Sequence, residues 1–458
     1  MESYSFSEYI SSIETGRSVR QDNQAETEDF AALCRRIKNA FYTDWESREN
    51  SAASLEIQKR AIIGYEKEKA FFKDRIRDLI AEFSAGKVEH PPWYPDLVDA
   101  VYHENWGFAG LAQWFSPPFD QESSAKIVGE RIYFMEDGHM RLMPQTIDRD
   151  RLEQLIKAML LLTPEERFDK AYYETYLLDG TRVTVFTEPM AKKGQASVIF
   201  RRYLIPSLSF EQQVQRGTIP AAAVPLFEAM VDIGFNVVMT GAVRTAKTTF
   251  LSTWQSYEDP TLEGVMVETD PEIPMHKLLP DAPIIQLLAD GDDLRRIAKN
   301  LLRSDADYFI LAEARDGIAL DTAVKLAAKG TKRMKMTFHS RLAEHFPLEA
   351  ATEIVKATGG DLRLTMQMVA SGFDYIFCFM QLPDKRRKRL KGIYQMNCDA
   401  EGEIRVEELC RYDPVADNWS FYNILDKNQE EYGLESNPGR LAYMKQQLVM
   451  LEASSPVS

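Results

Sequence analysis

NVVMTGAVRTAKTTFL, residues 236–251, carries the reading of this chain. An apolar, β-prone run stops at a glycine, and Lys-Thr-Thr then opens a helix-compatible stretch. The spacing is that of a phosphate-binding loop, with Gly241, Lys247, Thr248 and Thr249 in register. Such a loop curls successive backbone N–H groups around a phosphate at a helix N-terminus. Its lysine adds positive charge, and its Ser/Thr hydroxyl reaches a magnesium ion. Ala242, Val243, Arg244, Thr245 and Ala246 fill the turn, but Ala242, Arg244 and Ala246 replace glycines of a glycine-rich loop. Glycine serves there for positive φ or for close approach of backbone to phosphate. A methyl at position 246 costs little if its φ is helical. Arg244 either points outward or adds its own charge to the phosphates. By itself the segment also admits a plain strand–turn–helix with a chance lysine.

The rest of the chain narrows the choice. Its 458 residues favour two or three domains, and a hydrophobic fraction of 45% is enough for a sizeable core. A formal net charge of −15 argues against a broad nucleic-acid footprint, so no nucleic-acid partner is expected. Cys34, Cys378, Cys398 and Cys410 show no C-x-x-C spacing, which speaks against a zinc ribbon and fits a reducing cytosol. The N-terminal MESYSFSEYISSIETG lacks a basic, then apolar, signal pattern. No apolar run approaches the roughly 18–20 residues that span a bilayer. A cytoplasmic protein that reaches a membrane only through a partner is expected.

Residues 1–27 read as a disordered acidic tail and 28–120 as a helical region. Phe30, Leu33, Ile37, Ala40 and Phe41 form one helical stripe. Ile57, Ala61, Ile62, Tyr65, Phe71, Ile76 and Ile80 continue it until Pro91-Pro92. Trp93, Trp106 and Trp114 read as core residues. Residues 121–205 read as a small α+β domain: a hairpin over Ala125–Leu142 turning at Glu136-Asp137-Gly138, a helix closed by Pro164, a hairpin turning at Asp179-Gly180, and a strand delivering Arg201 and Arg202. Residues 206–225 read as a linker. From 226 to 412 short apolar runs alternate with helical stretches, which implies βαβ units and a parallel sheet. Lys385-Arg386-Arg387-Lys388-Arg389 reads as a solvated hairpin turn, and 413–458 as a tail subdomain.

Three strands end in polar groups suited to a nucleotide. GVMVETDPE runs into Glu268, Asp270 and Glu272; DYFILAE ends in Glu313; KMTFH ends in His339. Ligands bind at the carboxyl ends of parallel strands, and a phosphate site needs carboxylates for a cation and for water activation. Glu313 is placed to hold magnesium or its water.

The ordered set resembles the ATPases of type II and type IV secretion and type IV pilus assembly, most of all the Flp/Tad pilus-assembly subgroup. DGTRVTVFTEP with VIFRRYL looks like the arginine-bearing strands of the family's N-terminal domain. TGAVRTAKTTFL looks like Walker A, VETDPE like the aspartate box, FILAEARDG like an atypical Walker B, and KMTFHS like the histidine box. Thr269, Ala312 and Arg333 depart from the usual Asp, Gly and Gly of those motifs. The resemblance implies an α/β fold: a RecA-like P-loop NTPase core preceded by a small α+β N-terminal domain and a helical N-terminal region. It implies ATP and Mg2+ as cofactors. Residues 241–249 would hold the phosphates and Thr248 and Glu313 the metal. Glu272 would orient or deprotonate water, with Glu268 assisting, and His339 would sense the terminal phosphate. Arg182, Arg201 and Arg202 are candidates for charges reaching the nucleotide, across a subunit boundary in the family. The family forms homo-oligomeric rings, hexamers, that work on a polytopic inner-membrane platform protein.

Overall fold

The computed structural model describes residues 29–46, 51–160, 171–202, 209–301, 303, 306–314, 316–328 and 332–455. The expected acidic tail and Pro164 lie outside them. The chain divides into two compact units, Met1–Leu204 and Ile205–Ser458.

The first unit opens with helices Phe30–Glu46, Ser51–Ile63, Glu66–Glu82 and Leu97–Asn105. The Leu33–Ile37–Phe41 stripe is fully buried and packs on Phe72, Ile76 and Trp106. The continuous second stripe is corrected. Gly64, at φ 121, ends one helix, and the next begins in a new register. Phe72 is therefore buried, whereas Phe71 and Tyr65 are 39% and 37% exposed. The strands follow: β1 (Ser124–Val128), β2 (Arg131–Glu136), β3 (His139–Thr146), β4 (Tyr172–Tyr176), β5 (Arg182–Phe186) and β6 (Ser197–Arg201). They form one antiparallel sheet, order β3-β2-β1-β6-β5-β4. The hairpin expected over Ala125–Leu142 is three strands, because Gly129, at φ 60, adds a turn. Helix Arg149–Leu160 lays Leu152, Leu155, Ile156 and Met159 on this sheet. Trp114 and Ala109 of the preceding helical region lie in the same core. The boundary expected near residue 120 therefore separates nothing: a sheet with one apolar face needs a cover, and the helical region supplies part of it.

The second unit is built on β7 (Val237–Gly241), β8 (Gly264–Glu268), β9 (Ile284–Leu288), β10 (Tyr308–Leu311), β11 (Lys335–Phe338), β12 (Tyr375–Gln381), β13 (Lys388–Cys398), β14 (Ile404–Asp413) and β15 (Asn418–Phe421). Their order is β15-β14-β13-β12-β7-β11-β10-β8-β9. From β12 to β9 all neighbours are parallel; β12 to β15 are antiparallel. Strands buried on both faces are largely apolar, as in VVMTG, GVMVE and YFIL, whereas KMTF opens with Lys335, buried and paired with Glu258 at 2.7 Å. Val237 and Met239 point to one core with helices Val224–Ile233, Lys247–Gln255 and Pro438–Ser454. Val238 points to the other, with helices Gly317–Ala328, Phe346–Thr358 and Leu362–Gly372. The loop strand β7 lies between β11 and β12, and β11 separates it from β10. This is the RecA-like order that the motifs imply.

Two expected boundaries are corrected here. Phe210 and Ile219, from the expected linker, are buried in the first of these cores. Leu441, Met444, Leu448 and Leu451 of the expected tail subdomain fill the same core, and β14 and β15 extend the main sheet. The basic run is also corrected: Arg389 is 4% exposed, and Asp417 holds it together with Arg387.

Candidate functional site

The loop is shaped by its first residue. Gly241 has φ 142, and a Cβ there would lie 2.3 Å from the Phe379 carbonyl oxygen of β12, so only glycine fits. Ala242, Val243 and Arg244 are exposed; Thr245 is buried, its hydroxyl donating to the Ala242 carbonyl at 2.9 Å. Arg244 and Ala246 have φ of 67 and 72. The helical φ that would make Ala246 easy is thus absent. Each Cβ in the left-handed region costs roughly 1–2 kcal/mol. Helix Lys247–Gln255 follows with no side-chain cap. Its first N–H groups, with Thr248 and Thr249 half-buried beside them, form an anion-binding end at the carboxyl edge of the sheet.

Lys247 is buried. Its ammonium donates to the Gly241 and Ala242 carbonyls at 3.1 and 2.9 Å, and lies 3.3 Å from His339 Nδ1. His339 Nε2 lies 3.2 Å from Glu313 Oε1. One assignment satisfies both contacts: Nδ1 accepts from the ammonium and Nε2–H donates to the carboxylate. The tips of β7, β11 and β10 are thereby linked through side chains. Burial lowers the Lys247 pKa to about 8, against the pull of the Glu313 and Glu272 carboxylates.

Glu268, at the tip of β8, is buried, and its Oε1 accepts from the Glu272 and Ile273 N–H groups at 3.2 and 3.0 Å. Burial raises its pKa to about 8, although those N–H groups favour the anion. Glu268 therefore braces the turn that presents Glu272. Carboxylate oxygens of Asp270, Glu272 and Glu313 lie within 4.8 Å of one another. Three hard oxygen donors suit Mg2+, which takes a few carboxylates and completes its shell with water and phosphate. Sequence reasoning placed Asp270 at this strand tip but gave it no role; its place between the two chosen glutamates in ETDPE was the available signal. Thr248 stands in the first turn of the loop helix.

The three arginines belong to the first unit. Arg182 is buried and pairs with Glu174 at 2.5 Å. Arg202 lies 3.9 Å over the Trp114 ring and donates to the Asp120 carbonyl at 2.6 Å. Arg201 is exposed at the end of β6. Arg333, where the family has glycine, has φ 58 and donates to the Val231 and Asp232 carbonyls at 2.8 and 3.0 Å. It caps helix Val224–Ile233 at the opposite end of β11 from His339.

A lysine loop, a histidine and an acid cluster meet at one sheet edge. The chain is similar to a conjugal transfer protein. The relative is the probable conjugal transfer protein TrbB of Sinorhizobium fredii, 23% identical over 235 residues, 50% of this chain and 68% of that one. No family model matches. Among solved structures, the VirB11 ATPase of the Brucella suis type IV secretion system, in complex with sulphate, is 15% identical (62% of this chain, 92% of that one, TM-score 0.33). The Legionella pneumophila ATPase DotB is 16% identical (72% and 84%, TM-score 0.42). The pilus retraction motor PilT with bound ADP is 14% identical (74% and 91%, TM-score 0.42). With TM-scores this low, the fold rests on the strand order described above.

Proposed function

We propose that this chain is a Mg2+-dependent ATPase that forms a closed ring, a hexamer as in the family it resembles. It would power Flp/Tad-like type IV pilus assembly, or type II/IV protein secretion, from the cytoplasmic face of a membrane through a polytopic platform protein. The Lys247–His339–Glu313 chain, beside the Asp270–Glu272–Glu313 carboxylates, supports this reading most directly. Lys247 and the loop N–H groups would neutralise the phosphates. Glu272 would accept the proton of the attacking water, and Glu268 would keep it in place. His339, between lysine and acid, would register whether a terminal phosphate has displaced the ammonium. A cation on the acid cluster would neutralise charge building on the transferred phosphoryl oxygens. Arg182, Arg201 and Arg202 remain candidates for charge supplied to the nucleotide of a ring neighbour.

ATP turnover of the purified protein with Mg2+ tests this, beside Lys247→Ala and Glu313→Gln. Both substitutions should abolish turnover; turnover that survives both overturns the reading. A second reading, a ring subunit that binds nucleotide but barely hydrolyses it, is favoured by the strained Arg244 and Ala246 and by the hold of the loop carbonyls on Lys247. Tight ATP binding without turnover selects it, and rapid turnover removes it.

A further inference from the structure

Arg244 sits at φ 67, where glycine is at ease and a residue with a Cβ is strained. Its side chain is exposed, and among the described residues its guanidinium makes no hydrogen bond or ion pair. Backbone strain that carries an idle charged side chain points to a ligand. A second cation lies at the same edge of the sheet. Gly241 of β7 pairs with Phe379 of β12, and Phe379 with Leu390 of β13, so the loop and the β12–β13 hairpin leave the sheet at the same edge. The hairpin is firmly anchored. Leu390 N–H donates to the Thr218 carbonyl at 2.7 Å, and Arg387 and Arg389 are held by Asp417 at 2.7 and 2.9 Å. Those two arginines are spoken for. Lys388, half-buried, donates to the Lys385 carbonyl within the turn. Its pKa is lowered by burial and by the Arg244 charge nearby, and Asp384, which accepts from the Arg386 N–H, opposes this.

We propose that Arg244 and Lys388 form a second phosphate-binding pair beside the Lys247 loop, gripping the polyphosphate tail of a nucleotide. The pair would add side-chain charge to the attraction that the loop N–H groups and Lys247 already supply. This rests on the nucleotide reading above.

Affinities for ATP and for inorganic tripolyphosphate are measured for the parent, Arg244→Gly, Lys388→Met, both together, and Lys299→Met as an exposed charge control. Each single change should weaken binding of both probes by about tenfold, as loss of one charge-assisted hydrogen bond does. Arg244→Gly should do so while raising the melting temperature, because it relieves the left-handed strain. A role in loop structure alone would move stability and leave affinity in place. Affinities of both variants within about twofold of the parent, with Lys247 still required, overturn this proposal alone. A folded parent that binds neither probe overturns the nucleotide reading with it. Loss of binding to phosphatidylglycerol vesicles with ATP affinity intact also overturns it, and assigns the basic face to lipid.

Discussion

The Lys247 ammonium lies 3.3 Å from His339 Nδ1, although 92 residues separate the two in sequence. The contact exists because β7 and β11 are parallel neighbours, pairing Thr240 with Phe338, so their carboxyl tips emerge together. His339→Ala should cut ATP turnover by about 10–100-fold, the usual effect of removing a side chain that orients a reacting group. His339→Gln should recover part of it, and ATP affinity should change much less. Steady-state turnover with separate binding measurements checks this split.

Glu268 accepts two backbone N–H groups of the turn that bears Glu272. Burial raises its pKa to about 8, so neutral glutamine, with the same acceptor, can take its place. Glu268→Gln should melt within a degree or two of the parent, whereas Glu268→Ala leaves buried donors unmet and costs about 1–3 kcal/mol. Chemical denaturation of the two variants separates them.

Asp374, just before β12, accepts from the Asn236 N–H at 2.8 Å, and burial raises its pKa from 3.8 to about 6. A carboxyl whose folded pKa is raised binds its proton more tightly when folded. Its contribution is therefore fully present below the unfolded value and is lost as pH rises through about 6. Asp374→Asn keeps the acceptor and removes the charge. Between pH 4 and pH 7 the parent should lose on the order of 1–2 kcal/mol relative to this variant, as read from urea midpoints.

Phe72 is fully buried against Phe41 and Trp106, at ring centroid distances of 5.7 and 5.2 Å. Phe72→Ala should destabilise the first unit by about 3–5 kcal/mol. The neighbouring, exposed Phe71→Ala should cost under about 1 kcal/mol. Equal costs would contradict the helix register set after Gly64.

Local patterns were legible in the sequence because their causes are local. Gly241 followed by Lys-Thr-Thr, unbroken apolar runs of strand length, and glycine turns each depend on neighbours a few residues away. The stripe of Leu33, Ile37 and Phe41 was readable for the same reason, a helical period. Its continuation was not, since the phase after Gly64 is decided by what the helix packs against. The strand β9 and the helices Phe346–Thr358 and Leu362–Gly372 were not read from the sequence, although four of the five β9 residues are apolar and both helices are amphipathic.

By itself the sequence determined that a lysine loop sits between a strand and a helix, and that acidic and histidine-bearing strand tips accompany it. Only the tertiary structure decided which tips meet. The order β12-β7-β11-β10-β8 brings His339 between Lys247 and Glu313 and gathers Asp270 with Glu272 and Glu313. It also gives Ala246 its left-handed φ and folds the tail helix into the main core. These outcomes depend on packing between residues far apart in the chain, where burying both faces of a parallel sheet outweighs the local preference of any single residue.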